Sequence, residues 1–122
     1  MNLGIVGLGH VAKYQIGALD ELDGLDLVAT CDKDVSKKGV YSADFTTDLD
    51  EMLSLNLDGV VVSVPNVNHY KVVKKVLESG KHTLVEKPAT PTLREFDELC
   101  KIADENGVAM HTAFHAAFAP DV

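Results

Sequence analysis

The chain has 122 residues and a mass of 13.1 kDa; 46% of its residues are hydrophobic and 25% charged, and its formal charge is −8. That size fits one domain burying roughly two thirds of the surface its unfolded chain would expose. The apolar fraction excludes disorder, and the excess of 19 acidic over 11 basic residues argues against a nucleic-acid binder, which needs clustered positive charge. No apolar run approaches the ~18 residues of a membrane span, and MNLGIVGLGH lacks the basic start and long apolar stretch of a secretory signal. No membrane partner is expected, and the expected location is cytoplasmic. Cys31 and Cys100 lie far apart without CxxC spacing and read as reduced, buried thiols rather than a disulfide.

In chain order, Leu3 to Val6 is a buried strand ending at Gly7 and Gly9. A helical pattern follows from Val11 to Leu22, stopped by Asp23 and Gly24. Asp26 to Cys31 is a second strand. Lys33 to Tyr41 holds at most a short helix, Ser42 to Thr46 suits an edge strand, and Asp48 to Leu55 a short helix capped by Thr47. Gly59 to Ser63 is a continuous β-branched run, suited to a strand buried on both faces. His69 to Ser79 is an amphipathic helix, with Asn66 or Asn68 as its cap, Val72, Val73, Val76 and Leu77 inward, and Lys71, Lys74 and Lys75 on a solvated face. His82 to Val85 is a fifth strand. Thr92 and Glu95 form a capping box for a helix with apolar face Leu93, Phe96, Leu99, Cys100 and Ala103, and Val108 to Ala113 is a sixth strand. Such alternation describes one α/β domain with a parallel sheet covered on both faces.

The first strand-to-helix junction, Gly7-Leu8-Gly9-His10-Val11-Ala12, has the G-x-G-x-x-A form. Gly7 permits a tight turn, Gly9 lets a pyrophosphate approach the backbone, and Ala12 lets the helix pack on the strand. The helix N-terminus offers unpaired N–H groups to phosphate. A glycine turn alone would also explain the pattern, but Asp32 follows Ala12 by 20 residues, at the end of the second strand. There it either accepts hydrogen bonds from ribose hydroxyls, favouring NAD over NADP, or caps the next turn. Lys33, Lys37 and Lys38 weaken that preference and leave NADP open.

Ser63-Val64-Pro65-Asn66 and His69 follow the β-branched strand, and Glu86-Lys87-Pro88 follows the fifth; both belong on the rim where doubly wound sheets bind ligands. Lys87 is either an ordinary solvated lysine or a group that hydrogen-bonds a substrate oxygen or moves its proton. His111 and His115 are four apart but not on a helix, so no metal site is expected.

Together GIVGLGHVA, CDKD, VVVSVPNVNH and GKHTLVEKPAT resemble the glucose–fructose oxidoreductase / inositol dehydrogenase (Gfo/Idh/MocA) family over the whole chain. The resemblance implies a Rossmann-type, doubly wound, six-stranded parallel sheet of strand order 3-2-1-4-5-6 over residues 1–122. It further implies an NAD cofactor, with NADP as the alternative, and a sugar, cyclitol or related polyol substrate. Gly7, Leu8, Gly9, His10, Val11 and Asp32 would hold the cofactor. Ser63, Val64, Pro65, Asn66 and His69 would line the middle of its groove. Glu86 would lie against the nicotinamide ribose, and Lys87 would be the catalytic lysine. The family's Lys-Pro bond is often cis, an expectation for Lys87-Pro88.

The family's second α/β domain, which supplies most substrate contacts and usually the oligomer interface, is absent from these residues. Ala116 and Ala117 stand where members often carry an arginine, and Phe114 and Phe118 would lack a packing partner. This chain is therefore expected to bind cofactor with little or no turnover, and its sixth-strand edge leaves a homo-oligomer open. A stand-alone NAD(H)-binding module and a nucleotide-using lyase are the competing readings.

Overall fold

Six strands join into one all-parallel sheet in the computed structural model, which describes residues 1–9, 16–17, 23–39, 41, 43–64, 68–86 and 93–113. They are β1 (Asn2–Val6), β2 (Asp26–Cys31), β3 (Asp44–Thr46), β4 (Gly59–Val62), β5 (His82–Glu86) and β6 (Met110–Ala113). Their order across the sheet is β3-β2-β1-β4-β5-β6, the doubly wound order expected from the sequence. The helices are α1 (Leu49–Leu53), α2 (His69–Glu78) and α3 (Leu93–Glu105), with a single 3₁₀ turn at Val35–Lys37. Ile16 and Gly17 are also helical, inside the first predicted helix. No helix among the described residues is long and apolar enough to cross a membrane.

Alternation of side chains along each strand divides the core into two layers. From β1 and β4, Val6, Val60 and Val62 point into the larger cluster, which α2 and α3 complete with Val73, Val76, Leu77, Leu99 and Ala103. Ile5 and Val61 point the other way, into a smaller cluster with Leu8 and Ile16. The valine run of β4 is thus divided residue by residue between both faces, which is why it carries no polar alternation.

Several local expectations are corrected. The cap of α1 is Asp48, not Thr47: its side chain accepts from the Asp50 N–H at 3.0 Å, while the Asp48 N–H itself donates to Thr46 Oγ1. Asn68 occupies the N-cap position of α2 but makes no side-chain cap bond, because its backbone is already helical (φ −101°, ψ −4°). Leu93 is 76% exposed, since the helix meets the sheet only from Phe96 onward. Strand β4 stops at Val62, and β6 begins two residues later than predicted. Both cysteines are free thiols, Cys31 buried and Cys100 half-buried. The capping box at Thr92, the cis Lys87-Pro88 bond and the tail from Phe114 lie outside the described residues.

Leu99 is fully buried where α3 meets the larger cluster. Leu99→Ala should lower the unfolding free energy by about 2–5 kcal/mol, read as a lower urea midpoint at unchanged slope.

Candidate functional site

Parallel pairing of β1 with β4 brings the ends of the two strands side by side, Val6 opposite Val62. The ladder continues past the strands, with the Ser63 N–H donating to the Val6 carbonyl at 2.8 Å. Here the loops after β1 and β4 touch. A Cβ on Gly7 would stand 2.6 Å from the Ser63 carbonyl carbon and 2.8 Å from the Val64 nitrogen, and Gly7 also has φ +91°. Both the turn and the close crossing therefore require glycine. Two residues on, among the described residues and apart from its chain neighbours, no heavy atom lies within 4 Å of a Cβ placed on Gly9. A glycine without a neighbouring side chain at this place in a G-x-G loop is what close approach of a phosphate requires.

On the other side of β1 lies the end of β2. The Gly7 N–H donates to the Cys31 carbonyl at 2.8 Å, and the Leu8 N–H to Asp32 Oδ2 at 2.7 Å. Asp32 Oδ1 accepts from the Asp34 N–H at 2.8 Å. Asp32 thus both caps its own turn and reaches across to the glycine loop. A carboxylate offers about four acceptor positions, so half of its capacity remains for a ligand hydroxyl.

His69 is 1% exposed, and its Nε2 lies 2.7 Å from the Val64 carbonyl. A carbonyl only accepts, so Nε2 carries the hydrogen. The imidazole reaches the site through the Val64 backbone, not through a surface of its own. Ser63 and Val64 are half-buried beside Gly7, and Glu86 ends β5 on the same rim. His10, Val11, Pro65, Asn66 and Lys87 lie outside the described residues.

A cleft of about 730 Å³ opens over these strand ends, walled by Gly7, Asp32 and Val64 on the sheet side. Its other wall is α2, with Asn68, Tyr70, Lys71 and Lys74. The sequence assigned those lysines to a solvated face. Lys71 stays exposed and Lys74 half-exposed in that wall, so the solvated face of α2 also borders the cleft. Lys74 Nζ stands 6.0 Å from the Tyr70 ring centroid, and the Tyr70 phenol is shifted upward by its hydrogen bond to the Glu98 carboxylate. Lys75 pairs with Asp50 at 3.2 Å, in the open. Among the described residues no three His, Cys, Asp or Glu side chains are grouped to hold a metal.

A doubly wound sheet with a glycine loop after its first strand and a carboxylate at the end of the second has the architecture of a dinucleotide-binding domain. Residues 1–114 match the family described as an oxidoreductase family with an NAD-binding Rossmann fold, and the chain belongs to that family, Gfo/Idh/MocA. It is 32% identical to D-glucoside 3-dehydrogenase of Escherichia coli K12 over 99% of this chain and 36% of that protein. It is 30% identical to an NADP(+) scyllo-inositol 2-dehydrogenase of Bacillus subtilis over 90% of this chain and 32% of that protein. The crystal structure of the Bordetella pertussis WlbA dehydrogenase, in complex with NADH and UDP-GlcNAcA, superimposes with a TM-score of 0.86. It is 28% identical and covers 93% of this chain and 34% of its own. The chain spans between 18% and 40% of the length of the curated relatives it matches.

The two loop glycines should separate under mutation. Gly7→Ala should cost several kcal/mol of stability, because no flexible side chain can yield to the new methyl. Gly9→Ala should change the melting temperature little yet weaken dinucleotide binding, read by thermal melts and calorimetric titration of both variants.

Burial, reinforced by the neighbouring Asp32 carboxylate, pushes the Cys31 thiol up to about 11. An acid whose pKa is raised by folding contributes stability below its unfolded value and loses it as the pH climbs through the folded one. Stability should therefore fall from about pH 9 to about pH 11 more steeply in the native chain than in Cys31→Ala, and Cys31 should resist iodoacetamide at pH 7.5.

Proposed function

We propose that this chain is the cofactor-binding part of an NAD(P)-dependent oxidoreductase that moves hydride between the cofactor and a secondary alcohol of a sugar, cyclitol or related polyol. The observation that carries this reading is Gly9, clear of the other described residues and set beside Asp32 by the Leu8 hydrogen bond, in a chain of this family. The glucoside and the inositol in the relatives' names, and the UDP-GlcNAcA bound in the WlbA dehydrogenase structure, support the polyol class.

The residues present fit the cofactor. The glycine loop would take the pyrophosphate, Asp32 the adenosine ribose, and the backbone of Ser63 and Val64 the middle of the groove. The bound nicotinamide supplies the hydride chemistry. Proton transfer must accompany hydride transfer, and Lys87 is the residue of this chain proposed to hold or relay that proton at the reacting oxygen. Asp32 favours the free ribose hydroxyls of NAD, whereas Lys33 and Lys71, which line the same cleft, favour an added phosphate. Both dinucleotides are therefore included in the proposal. These 122 residues by themselves are expected to turn over little, since a substrate held on one side is poorly oriented.

Calorimetric titration of the chain with NAD, NADP and NADH tests the reading. Saturable binding of at least one, without turnover on glucosides or inositols, is the expected result. Failure of all three at millimolar concentration would overturn it.

A further inference from the structure

Building on the cofactor reading above, we infer that Asp32 is a positioning residue for the phosphate-binding loop as well as the acceptor for ribose. The loop is anchored at Gly7 and Leu8, where the Gly7 N–H also donates to the Cys31 carbonyl. Gly7 is pressed against the Ser63–Val64 backbone, the Leu8 side chain is buried (2% exposed) in the smaller core cluster, and the Leu8 N–H is held by Asp32 Oδ2 at 2.7 Å. Among the described residues, nothing but its chain neighbours lies close to Gly9. Of these anchors, the Asp32 bond is the one made by a side chain of the cleft itself. It is a short bond from a backbone N–H to a carboxylate, about twice as strong as a neutral one. The other oxygen accepts from the Asp34 N–H at 2.8 Å, which favours the rotamer that faces the loop. Removing it would leave the Leu8 N–H, in its partly buried setting, without an acceptor. The segment carrying Gly9 would then drift from the position where a diphosphate meets it.

Reading ribose and holding the loop are separable with a ligand that has phosphates but no ribose hydroxyls. The probe is 2′,3′-dideoxy-ADP, compared with ADP on the native chain, Asp32→Ala and Asp32→Asn. If Asp32 holds the loop, Asp32→Ala weakens dideoxy-ADP by about tenfold and ADP by more, since ADP also loses its ribose contacts. Asp32→Asn keeps one carbonyl oxygen and should fall between the native chain and the alanine variant for dideoxy-ADP. Hydrogen exchange is read alongside. The Leu8 amide should be protected in the native chain and exchange faster in both variants, while the Ile5 amide of β1 is unaffected. Equal loss at Leu8 and Ile5 would mean general destabilisation and would overturn the inference. So would dideoxy-ADP binding to Asp32→Ala as tightly as to the native chain, which would leave Asp32 a reader of ribose alone. A native chain that binds neither ADP nor NAD would overturn the cofactor reading, and this inference with it.

Discussion

The contact of the Gly7 backbone with that of Ser63 and Val64 is the constraint on which the site depends. It follows from pairing β1 with β4, strands more than fifty residues apart, in parallel and in register. With the Ser63 N–H bonded to the Val6 carbonyl, the two chains leave the sheet together and no side chain fits between them. Everything that faces the cleft is then placed relative to this crossing. Gly9 extends beyond it, clear of the other described residues, and Val64 is held against it from behind by the buried His69. The crossing tolerates little change because it is backbone against backbone, where no rotamer change can relieve a misfit.

Charge has a local arrangement that the total conceals. A chain of net charge −8 places Lys33, Lys71, Lys74 and Lys75 around a cleft whose acidic lining residues are Asp32 and Glu78. Electrostatic attraction for an anionic ligand is set by such focusing near a cleft more than by net charge. Four lysines outnumber these two carboxylates along the described lining.

Much of the fold was legible because each strand is short, apolar and punctuated. Asp26 to Cys31 coincides with β2 at both ends, and the doubly wound order follows the expected one. The differences lie where neighbouring residues compete for one role. Thr47 and Asp48 can both cap a helix, and the Thr46 hydroxyl decided between them by bonding the Asp48 N–H. Leu93 has the right helical spacing for the core, but a helix end can project beyond the sheet it packs on. In the site, Gly7, Gly9 and Asp32 were readable from spacing. The burial of His69 was not, because a histidine on an apolar helix face looks the same in sequence whether it lines a groove or sits behind it.

The sequence by itself determined the alternation of strands and helices, the glycine loop, the carboxylate that follows it and the family. These are local patterns, set by side-chain period, turn chemistry and motif spacing. The tertiary structure alone decided that Gly7 must be glycine because another loop lies against it. It also decided that Asp32 bonds the Leu8 N–H and that lysines of α2 wall the cleft. Each of those facts joins residues more than twenty positions apart. Distances of that kind are fixed by strand order and register, which no local pattern encodes.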